Sequence, residues 1–578
     1  MQILKNTKVT LEGRGLLTIR PADYVTSGGE GAIYRSGNLA IKLYEDADRM
    51  IREGLPDKLQ LLHALAHPSI VAPGGLVNDG TGKPIGFYMP FTDGEPLPRI
   101  FTNAFWQRTS FSNDAATQLI EHMREVTRFA HAHGTVMVDP NEMNWLVDIG
   151  KIHDPKPIAI DVDSWAIGRW GPSAVMPSIR DWHTTVFDAN SDWFAFGVVT
   201  FQVWSDIHPY KGTLAGYKPG ELERRMKENA SVFSPGIVLN RAVRDFANIP
   251  GALRAWYEEV FQKGLRSEPP SPLDKGVAAI APRALTYRAV AGATGLLVFE
   301  KIFEQAGNPV VRIWPCGVVL TRSGTLVDLA TKRTIASNYS ERCEIIRTEN
   351  GWLGADIVGG QISCSFIDDR TLASTALPVP VNGHTLVRYA NRLFVPTEGE
   401  LVELELLHTT RPLLTIRTRT QILQPKATRW FEGVGVQTAL GATFLVLPFK
   451  DQACTTVRVK ELDRTTVIAA KAGHRFITAV AIDAQGAYIK HEFSFTEDYR
   501  SYRTWSGPAD TPELNIAILE RGVCATVVQD GTLHIFVPSS GNMKSIQDAH
   551  VRTDMQLATW KEQVVYLHRG SLWSLRMK

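Results

Sequence analysis

Glycine-centred turns recur at a nearly constant interval through the second half of this 578-residue chain. From about residue 290 onward, they separate short alternating runs rich in Val, Ile, Leu and Thr, which is the pattern of strands in a sheet. Successive turn glycines lie 36, 39, 42, 45, 45 and 39 residues apart, at Gly324, Gly360, Gly399, Gly441, Gly486, Gly531 and Gly570. A period of about 40 residues indicates that one unit of several strands is repeated and stacked.

This repeat predicts an all-β C-terminal domain over residues 293–578, which resembles a divergent β-propeller of six to eight blades. Two β-sandwiches are the alternative, although so regular a period would then be accidental. A rigid platform that binds a protein partner is the expected role of such a domain. Residues 493–506, rich in aromatic and charged side chains, are either a contact patch for that partner or an ordered long hairpin.

Composition excludes several classes of protein. An apolar content of 44% and a charged content of 21% are typical of a globular chain, and 578 residues are enough for several domains. The net charge of +2 argues against bulk electrostatic binding to nucleic acid or an anionic membrane. Neither a membrane-spanning run nor a signal-peptide core is present, and the five cysteines form no Cys-x-x-Cys pair. A cytoplasmic protein is therefore expected.

Two stretches in the first half carry residues suited to phosphoryl transfer. Asp139 stands five residues before Asn144, and the short apolar strand 158–160 ends at Asp161. In such a site one carboxylate orients the attacking hydroxyl, while an amide oxygen and a second carboxylate hold Mg²⁺ on the nucleotide phosphates. For Asp139 alone, a turn aspartate before Pro140 is the other interpretation.

An upstream segment adds a glycine turn and a strand lysine. Residues 17–44 predict a strand, a glycine turn, a second strand, a short turn and a third strand. Lys42 lies on the last of these strands, 39–44, and is its one lysine. Either feature alone is weak evidence, since glycine hairpins and solvated strand lysines are common. The turn glycines are Gly28, Gly29 and Gly31.

In this order and spacing, the motifs resemble those of the eukaryotic-like protein kinase family. The resemblance covers residues 17 to about 275 and implies an α+β bilobal protein-kinase fold in a domain spanning 1–275. It places the N-lobe at about 17–92, the C-lobe at about 93–275 and a linker at 276–292. The whole chain is thus expected to be multidomain, a kinase-like domain followed by the all-β domain.

The resemblance also implies roles for individual residues. Asp139 would be the catalytic carboxylate, supported by Lys42 and Asn141, and Asn144 and Asp161 would hold Mg²⁺. ATP would lie with its phosphates under Gly28, Gly29 and Gly31 and against Lys42. Met89, in the segment 89–92, would bind adenine through its backbone.

Three departures from the family pattern stand out. Lys58 occupies the helix position where the family has a Glu that pairs with the strand lysine, so Glu53 and Asp57 are the candidate substitutes. The usual His-Arg-Asp is Met137-Val138-Asp139, without the Arg that docks a phosphorylated loop. Asp163 replaces the Gly of Asp-Phe-Gly and is the alternative metal ligand.

Helices are predicted at 56–66, 115–133 and 191–204, with further helical segments around 220–265. The third is apolar on nearly every side and must be buried. The resemblance implies that its Asp192 holds the catalytic loop. Its Phe-Gln pair and the following His208 motif resemble bacterial kinases of tellurium-resistance-type phosphorylation triads. Residues 164–190 suit an activation segment, whose candidate autophosphorylation sites are Ser173, Ser178, Thr184 and Thr185.

The expected function is that of a Mg-ATP-dependent Ser/Thr protein kinase with a protein substrate and a partner-binding propeller. A pseudokinase scaffold, which binds nucleotide or nothing and presents the propeller, is one alternative. A kinase-fold small-molecule phosphotransferase or AMP transferase is the other. The intact set of Lys42, Asp139, Asn144 and Asp161 favours the kinase, since a scaffold has no chemical need for all four.

Overall fold

The computed structural model describes residues 3, 5–27, 30–171, 174–274, 296–409, 411–422, 424–439, 441–448, 453–520, 522–528, 531–548 and 550–578. Two compact units are present. One comprises Met1–Arg288, Ile482–Tyr488 and Pro508–Pro512, and the other comprises Ala289–Ala481, Ile489–Gly507 and Glu513–Lys578. The expected linker at 276–292 lies outside the described residues.

A seven-stranded antiparallel sheet opens the first unit. Its strand order is β2-β1-β6-β7-β5-β4-β3. The strand β5 lies between β4 and β7, so Lys42 is opposite Ile33 on one side and Phe87 on the other. The bounds are β1 Thr7–Leu11, β2 Gly15–Ile19, β3 Tyr24–Ser27, β4 Gly31–Ser36, β5 Leu39–Tyr44, β6 Gly75–Asn78 and β7 Pro84–Pro90.

Helices and short strands make up the rest of the first unit. The helices are α1 Ala47–Arg52, α2 Leu55–His63, α3 Leu97–Phe101, α4 Asn103–Thr109, α5 Asn113–Ala132, α6 Ala189–Ser205, α7 Leu222–Lys227 and α8 Gly251–Lys263. The short strands are β8 Glu95–Pro96, β9 Thr135–Val136, β10 Trp145–Asp148, β11 Lys156–Ala159 and β12 Ala166–Ile167. They form a three-stranded sheet, β11-β10-β8, and a two-stranded sheet, β12-β9.

Helix α6 is the centre of the apolar core, as its sequence predicts. Every residue from Ser191 to Ser205 is buried, and aromatic side chains of α8 pack against it. The helix begins two residues earlier than predicted because the Asp188 carboxylate accepts hydrogen bonds from the Asn190 and Ser191 backbone N–H groups. It ends at Asp206, which has a left-handed backbone (φ 58°).

The sequence also predicts strands at 69–73 and 83–90, joined by a turn at 78–82. The first of these strand predictions is wrong. Ile70 makes only an isolated bridge to Ala159, and the strand forms later, at β6. Pro68 and Pro73 flank the segment, and since proline has no N–H to donate to a ladder, a regular strand is disfavoured there.

Residues 297–577 form seven four-stranded sheets within the described part of the chain. Six of them use four consecutive strands. These are β14 Val310–Ile313, β15 Val318–Thr321, β16 Leu326–Asp328, β17 Arg333–Ala336; β18 Glu344–Thr348, β19 Gly351–Val358, β20 Gln361–Asp368, β21 Ser374–Leu377; β22 Val387–Tyr389, β23 Arg392–Pro396, β24 Glu400–Leu407, β25 Leu413–Gln421; β26 Thr428–Phe431, β27 Val434–Ala439, β28 Ala442–Leu447, β29 Thr455–Arg458; β30 Thr466–Gly473, β31 Phe476–Ile482, β32 Tyr488–Phe495, β33 Tyr502–Ala509; and β34 Ile516–Ile518, β35 Cys524–Val527, β36 Leu533–Val537, β37 Asn542–Ile546.

The seventh sheet joins the two ends of this region. Strand β13, Leu297–Phe303, pairs antiparallel with β40, Ser571–Met577. The two remaining strands are β38, Gln556–Trp560, and β39, Gln563–His568. The first strand of the region therefore completes a sheet made by the last three.

Each of the seven turn glycines lies in the connection between the second and third consecutive strands of one sheet. Six of them have positive φ, between 71° and 82°, which a glycine adopts without steric strain; they are Gly324, Gly360, Gly441, Gly486, Gly531 and Gly570. The sequence period thus corresponds to one four-stranded sheet, and the all-β expectation for this region is confirmed.

Residues 493–506 lie in the hairpin of β32 and β33, as the second interpretation of this segment predicts, and do not form an exposed aromatic patch. Phe493, Phe495 and Tyr499 are at most 8% exposed and belong to an apolar cluster. Tyr502 packs on Phe493, whereas Arg500 is exposed. The rings face the core, because alternate residues of β32 point to the buried side of the sheet.

No helix in the described ranges is long and apolar enough to cross a bilayer.

Candidate functional site

The loop around Asp139 is held by hydrogen bonds to a buried carboxylate on helix α6. Asp192 is 1% exposed and accepts hydrogen bonds from the backbone N–H groups of Met137 (2.7 Å) and Val138 (2.9 Å). Its Oδ2 also lies 2.9 Å from Nε2 of His131 on α5. Burial raises the pKa of Asp192, although these partners oppose the shift. The prediction that Asp192 holds this loop is confirmed.

Val138 has a strained backbone at this point. Its φ of 67° is in the left-handed region, which a β-branched residue seldom adopts. The hydrogen bond from its N–H to Asp192 is one of the contacts that maintain this conformation. Strain of this kind is concentrated at functional sites.

Asp139 comes directly after this strained residue. Its carboxylate Oδ1 accepts a hydrogen bond from the Met176 backbone N–H at 2.9 Å. Burial raises the pKa of Asp139, while the bonds from Met176 and the Asn141 side chain partly counter that effect. A raised pKa makes a carboxylate a better proton acceptor near neutral pH.

Asn141 and Asn144 organise the rest of the loop. The buried Asn141 accepts a hydrogen bond from the Met143 N–H at 2.8 Å and so caps the short 3-10 turn Glu142–Asn144. Asn144 donates from Nδ2 to the Asp139 carbonyl oxygen at 2.9 Å. Its Oδ1 is therefore the amide atom able to bind a cation.

Asp161 and Lys42 meet although they are 119 residues apart in the chain. The Lys42 Nζ lies 3.1 Å from Asp161 Oδ1. The Ile160 N–H donates to the Asn144 carbonyl oxygen at 3.0 Å, which keeps Asp161 near the Asp139–Asn144 loop. Asp161 itself has φ 58° and begins a 3-10 turn, Val162–Ser164. Four of the predicted site residues, Lys42, Asp139, Asn144 and Asp161, are thus connected through short contacts.

Asp163 makes the shorter contact with Lys42. Its Oδ2 lies 2.6 Å from the ammonium and also accepts a hydrogen bond from the Tyr44 hydroxyl at 2.8 Å. The Lys58 ammonium donates to its backbone carbonyl at 2.7 Å. All four of these residues are buried.

Electrostatics in this cluster reflect burial and close charges. Burial lowers the pKa of Lys42, but the carboxylates of Asp163 and Asp161 outweigh it and the net pKa is raised. Burial raises the pKa of Asp161 to about 6, against the opposing effect of Lys42 and with a further contribution from Asp163. Burial lowers the pKa of Lys58, which the nearby Asp163 charge partly offsets.

Of the other residues predicted to contact nucleotide, the structure describes Gly31 and Met89. Gly28 and Gly29 lie outside the described residues. Gly31 begins β4, where a Cβ would stand 2.4 Å from the Leu43 carbonyl oxygen, so the close approach of β5 requires a glycine. Met89 is half-buried on β7, opposite Ala40 of β5, and packs against the core.

Neither acid proposed to replace the helix glutamate reaches Lys42. Glu53 pairs with Arg49 at 3.1 Å, and Asp57 pairs with Arg169 at 3.2 Å. Both carboxylates are more than half exposed. The structure places Asp163 at Lys42 instead.

The candidate autophosphorylation sites differ in exposure. Ser178 is 3% exposed, so the expectation of an accessible hydroxyl is wrong there. Thr184 is half-buried and Thr185 is exposed. Ser173 lies outside the described residues.

The donor set around Asp161 fits magnesium. Mg²⁺ is usually bound through one or two carboxylates together with substrate phosphates and water, rather than by a closed protein cage. Asp161 Oδ2 and Asn144 Oδ1 are the oxygen donors available for that arrangement. Among the described residues, no group of three or more His, Cys, Asp or Glu forms a cage of its own.

Three contacts were not predicted from sequence: Tyr44 and Lys58 on Asp163, and Met176 on Asp139. For Tyr44 a signal existed, because residues 42 and 44 of a strand point to the same face. For Lys58 the sequence shows only that a lysine replaces the family glutamate, and not which group it contacts. The Met176 contact comes from a backbone N–H, which carries no sequence signature.

Comparison with protein-family models gave no match, and a search of curated proteins gave none either.

Proposed function

We propose that this chain is a Mg-ATP-dependent Ser/Thr protein kinase whose C-terminal half is a seven-bladed β-propeller for binding a partner or protein substrate. The observation that carries the kinase proposal is the ion pair of Lys42 with Asp161 at 3.1 Å, beside the Asp139–Asn144 loop. A lysine, two carboxylates and an amide oxygen in one cluster are the groups that phosphoryl transfer requires.

In this proposal the N-terminal half has the bilobal kinase arrangement. Its seven-stranded sheet supplies Lys42, and the segments between α5 and α6 supply Asp139, Asn144 and Asp161. For the C-terminal half, the seven four-stranded sheets support the propeller. One of the seven is shared between β13 and β38–β40, and such a shared blade joins the ends of a ring.

The residues divide the chemistry as follows. Lys42 would hold nucleotide phosphate, and Asn144 with Asp161 would hold Mg²⁺, whose positive charge would offset the charge of the phosphates. Asp139 orients a Ser or Thr hydroxyl and accepts its proton. The hydroxyl oxygen forms a bond to the γ-phosphorus as the bond to the bridging oxygen breaks, and ADP leaves.

A scaffold without turnover is the second candidate, and one contact favours it. Asp139 Oδ1 already accepts the Met176 N–H, so a substrate hydroxyl must displace that bond or use the other oxygen. A pseudokinase has no need to make this exchange.

Binding and turnover separate the two candidates. We expect Asp139→Ala to bind MgATP within about threefold of the wild type, because Asp139 contacts no phosphate, and to lose at least about 100-fold in ATP turnover. Asp161→Ala should instead lose the effect of Mg²⁺ on ATP affinity. Calorimetric titration and an ADP-release assay measure both. Equal turnover by wild type and Asp139→Ala would refute the kinase.

A further inference from the structure

Lys58 on helix α2 and Asp163 after Asp161 both depart from the kinase-family pattern, and the two residues contact each other. We propose that Asp163 is the residue that positions the Lys42 ammonium, and that Lys58 holds Asp163 in place. In the family pattern the helix carries the carboxylate that pairs with the strand lysine. Here the turn carries that carboxylate, as Asp163, and the helix carries the group that supports it, Lys58. This inference rests on the proposed nucleotide-binding function, in which Lys42 contacts phosphate.

Geometry assigns the positioning role to Asp163 rather than Asp161. Asp163 is the closer carboxylate, at 2.6 Å against 3.1 Å, and its side chain is 2% exposed against 42% for Asp161. A buried, charge-assisted contact is stronger than a partly solvated one. Asp161 is then available to a metal ion, while Asp163 stays on Lys42.

Lys58 is the anchor for this arrangement. Its ammonium is buried and donates to the Asp163 carbonyl oxygen, a contact 105 residues apart in the chain. A buried ammonium is stable only with hydrogen bonds and nearby negative charge, and Asp163 supplies both. The Tyr44 hydroxyl holds the same carboxylate from strand β5.

The exchange explains why both departures occur together. A glutamate at 58 with an aspartate still at 163 would place two buried carboxylates side by side, which is unfavourable. A lysine at 58 with a glycine at 163 would leave Lys42 facing a second cation. The observed pair avoids both outcomes.

The arrangement leaves Lys42 able to act. An ammonium has three N–H donors. In the described part of the chain, Lys42 donates to Asp161 and Asp163. In the proposed function, the third donor is the one that remains for a phosphate oxygen.

The test compares ATP with adenosine, which lacks phosphates. We expect Asp163→Asn in the full-length protein to weaken ATP binding about 10- to 100-fold and adenosine binding by less than about twofold. Tyr44→Phe, a milder variant that keeps Asp163, should weaken ATP binding in the same direction by about three- to tenfold. The control Asp57→Asn, an exposed acid paired with Arg169, should change neither affinity.

A charge exchange tests the pairing itself. Lys58→Glu introduces a carboxylate beside Asp163 and should weaken ATP binding. Combined with Asp163→Asn, it gives Lys42 a carboxylate from the helix side, so the double variant should bind ATP at least about fivefold more tightly than Asp163→Asn alone. A merely structural role predicts additive losses in the double variant.

The outcomes are distinct. A wild type that binds ATP no better than adenosine overturns the proposed function and this inference with it. A wild type that prefers ATP, together with an Asp163→Asn variant that keeps the preference, overturns the inference alone. Additive losses in the double variant, measured on proteins with wild-type unfolding midpoints, also overturn it.

Discussion

Replacing Asp192 should loosen the loop around Asp139 more than it disturbs helix α6, which carries Asp192. The perturbation is Asp192→Ala, which removes the acceptor for the backbone N–H groups of Met137 and Val138. Both residues are buried, so water cannot easily replace the lost carboxylate. The left-handed backbone of Val138 also loses a contact that opposes its relaxation.

The magnitude follows from the unsatisfied groups. Each buried N–H left without an acceptor costs about 1–3 kcal/mol. Two such groups, together with the separated His131 contact, give a loss of about 3–5 kcal/mol, in the range for breaking a buried charged interaction. Typical total stabilities are about 5–15 kcal/mol, so the loss is a large share of the first unit's stability.

Two measurements check this prediction. Denaturant unfolding followed by tryptophan fluorescence should show the transition of the first unit shifted to lower denaturant, with the transition of the second unit unchanged. Amide exchange resolved by residue should speed up at least about 100-fold at Met137 and Val138, since each factor of ten corresponds to about 1.4 kcal/mol.

The matched control is Asp188→Ala on the same helix. Its carboxylate caps Asn190 and Ser191 and does not contact the loop, so its loss should cost about 1 kcal/mol and leave exchange at residues 137 and 138 unaltered. Unchanged exchange at Met137 and Val138 in Asp192→Ala would refute the reasoning.

Two further perturbations test packing and pH dependence. Gly86→Ala would place a Cβ 2.0 Å from the Lys42 carbonyl oxygen, so it should lower stability by about 1–3 kcal/mol and weaken ATP binding. The control Gly80→Ala, whose Cβ would meet nothing within 4 Å, should change neither quantity. Unfolding experiments measure the stability, and titration measures the ATP affinity. Burial lowers the pKa of His208 to about 3, so as pH falls below about 6.5 the unfolded chain takes up a proton that the folded chain does not, and stability falls by up to about 1.4 kcal/mol per pH unit. His208→Gln should remove the His208 contribution to the fall of unfolding free energy between pH 6.5 and 4.5. An unchanged pH dependence of stability would contradict the low pKa assigned to His208.

Features set by local pattern were predicted well from sequence. The continuous apolar run of α6 specifies a buried helix. The turn glycines mark one sheet each, and six of the seven supply a positive φ at the same place in the repeat. For this helix and these turns, neighbouring residues contain the information, whereas the role of Asp192 is implied by the resemblance to kinases.

Features that depend on contacts between residues far apart in the chain were not predicted correctly. The segment 69–73 has strand-like composition, but its prolines and its single partner at Ala159 decide otherwise. The partner of Lys42 was sought on the following helix, whereas Asp163 reaches it from 121 residues away. For residues 493–506 the sequence leaves a contact patch and an ordered hairpin both open, because composition does not reveal which face of β32 is covered.

The central claim is that this chain transfers the γ-phosphoryl group of ATP to a protein hydroxyl. The most direct test incubates the full-length protein with Mg²⁺ and ATP labelled at either the γ- or the α-phosphate, beside Asp139→Ala and Asp161→Ala. We expect γ-label on Ser or Thr of the wild type, no label on either variant and no α-label on any of the three proteins. Label from the α-phosphate, or no label on a wild type that binds ATP, would contradict it.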